Sequence, residues 1–549
     1  MPTININKKE FLKNIGKKLT DEDIEEKISM MGVAVEEVND NEIIIEVFPN
    51  RPDLLSQYGL ARAASTFLGT SKGLKKYNVN KSNYIVKVEN TLENWPYAVC
   101  AVVKDLKFND EKIKEIIQLQ EKIGVTFLRN RKKGGPGLYP LEKIKFPIKF
   151  TSELPNKIIY RPLEYPKTIS ATEILEKHPT GIKYKHIVEG WKKLPIFIDA
   201  KNQIMSMPPI VNSHDVGKIT EDTRDVFVEV TGTDFKTINT ALNIFVSALA
   251  DMGGRVYSTK LIYGKKTYLT PNLNPEKVKI DFNYINKRIG LELNNKQICF
   301  LLEKMGFGIK NNTALVPAYR ADIIHQVDLA EDVAIAYGFD NLKEEIPKVA
   351  TIAEEDKFEI FKRKLANILV GLNLLEVHTY NLTSKETQTS KMNTNIKNVE
   401  LANSLNEEYN VLRAWVIPSL IQILKENKHH EYPQNIFGFG TVFKNDETKE
   451  TNISESTRLA INLCHSTTNF TEIKQVLDVI IKALDLKYDI REIEHQSFIS
   501  GRVGRISIRD VNLGYIGEIH PQVLENFNLE NPVAALELNL NELFRLLNI

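Results

Sequence analysis

Two neighbouring groups of polar residues could contact a ligand. Asn212 and Ser213 follow a Pro208–Pro209 pair, which restricts the backbone in front of them. An alternating strand over 226–230 then leads through a Thr-Gly-Thr sequence to Asp234. Rigid scaffolds present functional groups on the loops at strand ends, so these residues form a candidate site. The alternative is structural: the same residue types favour turns, and the segment then makes two turns around a strand.

Ser213, His214 and Asp215 contain the residue types of a nucleophilic triad. Adjacent side chains on an extended segment point to opposite faces, so these three residues do not predict one. His178 and His186 have no partner at metal-ligand spacing, and we interpret them as packing or hydrogen-bonding residues.

Four acidic residues suit either a cation site or a capping box at the first turn of a helix, and their spacing alone favours the capping box. Asp328, Glu331 and Asp332 have the i, i+3, i+4 spacing of one helix face, and Asp322 lies shortly before them. Oxygen ligands of this kind suit magnesium. The alternative is a capping box, with Asp328 as the N-cap and Glu331 three residues later, where acids also favour the helix dipole.

A basic run at 129–133 precedes the glycine-rich residues 134–137. Such a run could grip an RNA phosphate backbone, or it forms a solvated loop. The net charge of the whole chain is only +1, so any contact with nucleic acid must be a local patch.

The composition is that of a globular cytoplasmic protein. Its 549 residues predict three or four domains, and 42% of them are hydrophobic. Three widely separated cysteines exclude a C-x-x-C zinc site and fit a reducing compartment. No run has the length of a signal peptide core or a membrane span.

The elements that must position these residues divide the chain into four segments. The patterns predict an α+β multidomain protein: an N-terminal α/β unit (1–85), an α/β domain with the candidate site (86–266), a helical module with the acids (267–347) and a strand-rich domain (348–549). In the first segment, the pattern predicts a helix over 54–68, with Asn50 as N-cap and Asp53 in the capping-box position.

The fourth segment lacks the motifs that hold a triphosphate. It contains no Gly-x-Gly-x-x-Arg, no P-loop and no dinucleotide fingerprint. We therefore expect it not to bind ATP and not to activate an amino acid.

Five motifs in register resemble the β subunits of phenylalanyl-tRNA synthetases, of the archaeal and eukaryotic cytosolic type. They are an FPNRPDLLS-x-x-G-L-A-R element, an E-I-L-x-x-H-P element, PP-x-x-N-S with VTGTD, D-x(5)-D-x-x-E-D, and a C-terminal G-Y-I-G-E-I-H-P strand, at 48–62, 173–179, 208–234, 322–332 and 514–521. The resemblance implies an editing domain at 86–266, a winged-helix-like module at 267–347 and a non-catalytic class II synthetase-like antiparallel sheet domain at 348–549.

The implied function is that of a ligase subunit that also proofreads. With an α subunit, in an assembly of two α and two β chains, it would attach phenylalanine to tRNA(Phe) using ATP and hydrolyse mischarged Tyr-tRNA(Phe). The resemblance implies that Asn212 and Ser213 contact the substrate and that Asp234 orients its amine or phenol. It implies Mg²⁺ on Asp322, Asp328, Glu331 and Asp332, and neither a DNA partner nor a membrane.

Two departures from the family pattern leave a second function open. Pro140 stands where the family usually has Asp, and Gly438 where it usually has Glu. The alternative is a non-catalytic tRNA-binding and assembly scaffold with a vestigial editing pocket.

Overall fold

The structure, a computed structural model, describes residues 2–346 and 353–547. The chain is a multidomain α+β protein that forms two compact units, Met1–Ile346 and Pro347–Ile549. The boundary predicted between the third and fourth segments, at 347/348, lies outside the described residues.

The first segment is a small sheet covered by helices. Ile43 and Ile45 lie on one face of the central strand, and both are fully buried. The antiparallel strand order is Thr3–Asn7, Glu42–Glu46 and Ala34–Val38. The helices are Lys8–Ile15, Asp21–Ser29 and Gln57–Phe67.

The helix start predicted in this segment is wrong. A short 3-10 turn at Pro52–Leu54 comes first, and the α-helix begins only at Gln57, where the Ser56 hydroxyl accepts a hydrogen bond from the Gly59 N–H at 2.8 Å. The Asp53 carboxylate does not take part in the predicted capping box, because it accepts two hydrogen bonds from Arg51, at 2.9 and 2.8 Å. A buried, bidentate, charge-assisted pair outweighs a cap that the sequence pattern permits.

The second segment contains two larger sheets. The five-stranded sheet has the order Val79–Asn80, Arg255–Tyr257, Tyr97–Lys104, Val226–Gly232 and Gly134–Pro140. The seven-stranded sheet has the order Val211–Asn212, Ile204–Met207, Leu194–Ile198, Ile148–Glu153, Ile85–Val88, Thr259–Tyr263 and Lys266–Thr270. The alternating pattern over 255–263 predicts a single strand, and this prediction is wrong, since its two halves belong to different sheets.

Helices cover these sheets, and the segment also contains a separate short pair of strands. The helix Phe235–Asp251 buries Leu242, Phe245 and Leu249 completely, and it ends before the positive-φ residue Gly253. The remaining helices are Asp110–Val125, Ala171–Lys177, Pro179–Val188 and His214–Gly217, and the short pair is Ile159–Tyr160 with Ile169–Ser170.

The third segment adds a sheet to the predicted helices. Its strands lie in the order Glu276–Lys279, Thr313–Val316 and Gly308–Lys310, and its helices are Phe282–Ile289, Asn295–Lys304 and Gln326–Tyr337. The apolar positions Ile298 and Leu302 face a common core, as their helical spacing predicts.

The second unit is built on a long sheet. Its strand order is Leu375–Glu376, Gln434–Asn445, Ile453–Cys464, Val533–Asn539, Val511–Ile519, Phe498–Ile508 and Asp489–Glu492, with only the first pair parallel among the described strands. A smaller sheet joins Leu382–Thr383, Val411–Leu412 and Val399–Glu400. The helices are Lys357–Gly371, Lys385–Gln388, Ile417–Glu426, Phe470–Ala483, Pro521–Asn526 and Leu540–Leu546.

The glycine at 438 fits a crowded position in this sheet. A Cβ atom there would lie 2.7 Å from the backbone oxygen of Val377, so a glutamate could not be accommodated without a backbone shift. None of the helices in the described ranges 2–346 and 353–547 is long and apolar enough to cross a membrane.

Candidate active site

A cavity of about 280 Å³ lies in the second segment, beside the end of the Val226–Gly232 strand. That volume is near the lower end of the range of small-molecule pockets, roughly 300–1,000 Å³. Its wall combines apolar and polar groups from several strands and helices: Ile117, Gln120, Glu121, Arg131, Gly135, Pro136, Leu163, Glu164, His178, Thr180, Pro208, Pro209, Ile210, Val211, Asn212 and Glu229.

Glu229 is the buried acidic residue of this wall. It is 1% exposed, and its Oε1 lies 3.2 Å from the Tyr139 hydroxyl. Its Oε2 has no hydrogen-bond partner among the described residues. Burial raises the pKa of Glu229 to about 8, against the opposing effect of the Tyr139 hydroxyl.

Glycine at 137 makes room for this side chain. A Cβ atom at Gly137 would lie 2.4 Å from Glu229 Oε1, and one at Gly135 would lie 3.2 Å from Pro209. Residues 134–137 form part of a strand paired to the Glu229 strand, with Gly137 directly opposite Glu229. The glycine-rich sequence therefore leaves space for a carboxyl inside the sheet.

Asn212 shares the same hydroxyl with Glu229. Its Oδ1 lies 3.2 Å from Tyr139 Oη, and the Tyr139 hydroxyl has a single hydrogen to donate to either of its two neighbours. Burial raises the pKa of Tyr139 above its ordinary value, so this hydroxyl stays protonated. The three side chains form a polar group at the wall of an otherwise mostly buried region.

Arg131 holds the loop that carries the two prolines. Its Nη1 donates to the backbone oxygens of Pro209 and Ile210, both at 2.9 Å, and its guanidinium lies 4.3 Å from the centre of the Tyr184 ring. Burial lowers the pKa of Arg131. The basic run is thus divided, since Arg131 supports the pocket while Arg129 is exposed.

This contact depends on an unusual backbone. Residues 129–131 have φ values of 51°, 52° and 62°, three consecutive non-glycine residues in the left-handed region. Such residues normally occur singly, and each costs about 1–2 kcal/mol. The turn brings the Arg131 side chain back towards the pocket.

The histidine at 178 is fully engaged. Its Nε2 lies 3.0 Å from the Leu163 backbone oxygen, and its Nδ1 lies 2.8 Å from the Thr180 hydroxyl. It also ends one helix and begins the next at Pro179. These contacts give His178 the hydrogen-bonding role that the sequence indicates.

Of the three predicted site residues, only Asn212 lines the cavity. Ser213 is buried as the N-cap of His214–Gly217, where its hydroxyl accepts from the Asp215 N–H at 3.3 Å. Asp234 is exposed and caps Phe235–Asp251, accepting from the Thr237 N–H at 2.7 Å and the Thr237 hydroxyl at 2.6 Å. These Thr237 contacts lower the pKa of Asp234.

Sequence reasoning missed Glu229, Tyr139 and Arg131. A signal for Glu229 was present, because it is a lone acid among valines and phenylalanine in a strand whose seven residues are all buried. The predicted alternation of that strand is wrong because both of its faces are covered. Nothing local to Arg131 reveals that its chain turns back onto Pro209.

The four acids of the third segment lie close together, and three of them are already engaged. Arg320 donates to Asp322 at 2.8 and 2.5 Å and to Asp332 at 2.8 Å. Asp328 accepts from the Ile324 and His325 N–H groups at 2.7 and 2.6 Å. Partial burial, and then Asp332, Asp322 and Asp328, raise the pKa of the exposed Glu331.

This arrangement does not fit the predicted magnesium site. No group of three or more His, Cys, Asp or Glu residues in the described parts of the chain has a metal-binding geometry. Three of the four carboxylates already accept hydrogen bonds, two of them from a guanidinium. The capping box also differs from the predicted one, since His325 is the N-cap and Asp328 is the residue three positions later.

Comparisons with known proteins agree with this multidomain α+β architecture. Residues 1–70 match the Phe-tRNA synthetase beta subunit B1 domain, 278–339 the tRNA synthetase B5 domain, and 342–540 the phenylalanyl-tRNA synthetase beta chain CLM domain. A solved N-terminal fragment of the phenylalanyl-tRNA synthetase beta subunit from Pyrococcus horikoshii is similar at 36% identity and a TM-score of 0.59, over 61% of this chain and 99% of the fragment.

Similarity to complete relatives extends along the whole chain. The phenylalanine–tRNA ligase beta subunit of Thermococcus onnurineus is 40% identical over 99% of both chains. That of Pyrococcus furiosus is 40% identical over 99% of this chain and 100% of its own. The chain therefore belongs to the family of phenylalanine–tRNA ligase β subunits, aminoacyl-tRNA synthetase components of protein biosynthesis, as its motifs predict.

Proposed function

We propose that this chain, as the β subunit of a phenylalanine–tRNA ligase, hydrolyses Tyr-tRNA(Phe) in the cavity beside Glu229. The observation that carries the proposal is the buried Glu229 carboxyl in the cavity wall, with one oxygen lacking a partner among the described residues. A buried polar group of this kind is costly unless something pairs with it. The hydroxyl of a tyrosyl group supplies that partner.

The same group explains selectivity for tyrosine over phenylalanine. A synthetic site that accepts phenylalanine rejects an analogue with one added hydroxyl only weakly. A second site that hydrogen-bonds the phenol discriminates in the opposite sense, because phenylalanine leaves Glu229 unpaired. Proofreading would therefore remove tyrosine and spare phenylalanine.

Hydrolysis in this pocket needs no protein nucleophile. A water oxygen attacks the carbonyl carbon of the aminoacyl ester, the bond to the ribose oxygen breaks, and that oxygen takes a proton. Asn212 offers an amide within the cavity wall, and Arg131 fixes the neighbouring Pro209 carbonyl. Ser213 and Asp234, which the sequence places in the site, support it as helix caps in this proposal.

The wider assembly follows from family membership. A β subunit implies an α partner and a tRNA, and we propose two copies of each subunit, with ATP-dependent activation in the α subunit. The antiparallel sheet of the second unit would be a class II synthetase-like domain used for assembly. We assign Mg²⁺ no role on this chain, since the four acids do not fit it in this conformation.

The test is deacylation by the complex of this chain with its α subunit. Tyr-tRNA(Phe) and Phe-tRNA(Phe) are supplied separately, and charging of tRNA(Phe) with phenylalanine is measured in parallel. We expect rapid loss of tyrosine, little loss of phenylalanine, and a slower reaction in Asn212→Ala. A complex that charges tRNA normally but leaves Tyr-tRNA(Phe) intact would establish the non-catalytic scaffold instead.

A further inference from the structure

A second cavity, of about 440 Å³, lies elsewhere in the first unit and shares no lining residue with the candidate active site. Its wall comes from the first segment, the end of the Phe235–Asp251 helix and the residues before Gln326. Seven charged side chains line it: the cations Arg51, Arg62, Lys72, Lys75 and Arg320, and the acids Asp53 and Asp251. The wall itself thus has more cations than acids, and three acids outside it, Glu303, Asp322 and Asp332, pair with Lys72 and Arg320.

Arg320 has an unused donor at this cavity. Its side chain is 1% exposed, and its Nε and Nη2 bind Asp322 and Asp332, neither of which lines the cavity. Its Nη1 is buried and has no hydrogen-bond partner in the described part of the chain. The acids thus hold one edge of the guanidinium, and Nη1 on the other edge is left without a partner among the described residues.

The other two arginines are held in place. Arg62 donates to the Tyr77 hydroxyl at 3.0 Å, pairs with Asp251, and lies 3.9 Å from the centre of the Tyr319 ring. Arg51 makes its bidentate pair with Asp53. Each guanidinium has five N–H donors, so these contacts leave others free. A ligand would meet ordered groups, which lowers the cost of binding.

Two lysines stand at the open side of the cavity. The side chains of Lys72 and Lys75 are 70% and 52% exposed, and they pair with Glu303 and Asp251. They lie on a segment that contains the positive-φ residues Gly69 and Gly73. Exposed ion pairs such as Lys72–Glu303 are weak, so the Lys72 ammonium can turn to an entering anion, whereas Lys75 pairs with the buried Asp251.

We propose that this cavity binds a small molecule through its phosphate group. Phosphate offers several acceptor oxygens and up to two negative charges, which matches buried guanidinium edges together with mobile ammonium groups. The arginines are buried in a recess instead of spread along a surface, which suits a small molecule better than a nucleic-acid backbone. This site is separate from the editing pocket and does not depend on the proposed hydrolysis.

Inorganic phosphate is the probe for the test. Its binding to the full chain is measured by calorimetry and by ³¹P NMR, in phosphate-free buffer of constant ionic strength. The variants are Lys72→Ala/Lys75→Ala, which changes only exposed side chains, and Arg320→Lys, which keeps a cation beside Asp322 and Asp332 but removes Nη1. Lys76→Ala is the matched control, an exposed lysine outside the cavity wall.

We expect saturable binding that weakens about tenfold or more in the double lysine variant and in Arg320→Lys, and that is unchanged in Lys76→Ala. Circular dichroism melting of each variant shows whether it is folded, and the double lysine variant decides the question if Arg320→Lys is not. No saturable binding at millimolar phosphate overturns the proposal. So does equal weakening by Lys76→Ala, or binding that none of the cavity variants changes.

Discussion

At the scale of single residues, the candidate active site depends on one carboxyl group in an apolar strand. Glu229 is buried beside Tyr139 and Gly137, and this burial raises its pKa to about 8. The protein keeps a polar group where packing alone would favour an apolar one, and such positions are more common at functional sites. Glu229 therefore affects both stability and the proposed selectivity.

The raised pKa predicts a specific dependence of stability on pH. Between its ordinary pKa of 4.5 and about 8, the unfolded chain has lost the Glu229 proton that the folded chain retains. This group therefore lowers the free energy of unfolding as pH rises through that window. Between pH 4.5 and about 8, the free energy of unfolding of Glu229→Gln should increase relative to that of wild type by up to about 1.4 kcal/mol per pH unit. Above pH 8 the difference between the two proteins should stay constant.

Urea unfolding of both proteins from pH 5 to pH 9 measures this difference. Glu221→Gln, a change at an exposed acid of the same segment, is the matched control and should follow wild type at every pH. Parallel stability curves for Glu229→Gln and wild type would show that the carboxyl is ionised when the protein is folded.

Asp234 should act on helix stability and not on hydrolysis. Its carboxylate caps the Phe235–Asp251 helix, so Asp234→Ala should lower the free energy of unfolding by about 1 kcal/mol, whereas Asp234→Asn, which keeps a capping side chain, should change it little. Chemical denaturation and Tyr-tRNA(Phe) deacylation are measured on both variants. If Asp234→Asn has normal stability but no hydrolysis, then Asp234 acts in catalysis and not only as a helix cap.

Sequence reasoning identified the region of the candidate site better than its residues. The two prolines, Asn212 and one residue of the predicted strand, Glu229, do line the cavity, because special residue types mark the loop at 208–212. Which side chains point inward depends on how strands pair. The contact of Tyr139 with Glu229 joins two strands that are far apart in sequence, and no local pattern contains it.

At the scale of elements, the pocket depends on the turn at 129–131. The Arg131 side chain links this turn to the loop that contains Pro209. Arg131 donates two hydrogen bonds to backbone oxygens at Pro209 and Ile210, across more than 75 residues of chain. The left-handed turn at 129–131 carries a conformational cost, and such strain persists where the surrounding structure holds it. Arg131 is thus a positioning residue for the pocket.

Replacing Arg131 with methionine should disturb hydrolysis without changing aminoacylation. The substitution keeps an apolar stem but removes both hydrogen bonds, so the proline loop should lose its fixed position. We expect kcat for Tyr-tRNA(Phe) deacylation to fall about 10- to 100-fold, with a smaller change in KM. Arg129→Met, in the same turn but exposed, is the control and should behave like wild type. Equal effects of the two variants would mean that the turn, and not the Arg131 contact, matters.

The differences between predicted and observed element boundaries have physical causes. Apolar spacing, a strong local signal, predicts helices over 294–305 and 236–252, and the observed helices Asn295–Lys304 and Phe235–Asp251 agree within about a residue at each end. The start of the Gln57–Phe67 helix was misplaced because Arg51 takes the Asp53 carboxylate. Arg320 likewise pairs with Asp322 and Asp332, and the spacing of the acids does not reveal these pairs. Sequence spacing shows which acids are near each other, and not which cation they bind.

At the scale of the whole molecule, the chain combines two compact units in one member of the β-subunit family. The candidate active site and the cationic cavity both lie in Met1–Ile346, while the long sheet lies in Pro347–Ile549. Family membership was predictable because five motifs occur in register. The sequence of the fourth segment lacks triphosphate-binding motifs, and we therefore propose that amino-acid activation takes place in the partner subunit.

Activation should therefore require the α subunit. The chain alone should not catalyse phenylalanine-dependent exchange between ATP and pyrophosphate, and addition of the α subunit should produce that activity. Exchange by the isolated chain, at a rate comparable with that of the complex, would show that the second unit has its own active site.

The most direct test of the central claim is the ratio of kcat/KM for deacylation of Tyr-tRNA(Phe) to that of Phe-tRNA(Phe). It is measured for the complex containing wild-type chain, Glu229→Met or the exposed control Glu221→Met. Methionine removes the partner of the phenol but keeps the volume, so we expect the ratio to fall about 10- to 100-fold in Glu229→Met, and to stay unchanged in the control. An unchanged ratio in Glu229→Met, with hydrolysis intact, would contradict the assignment of Glu229 as the group that recognises tyrosine.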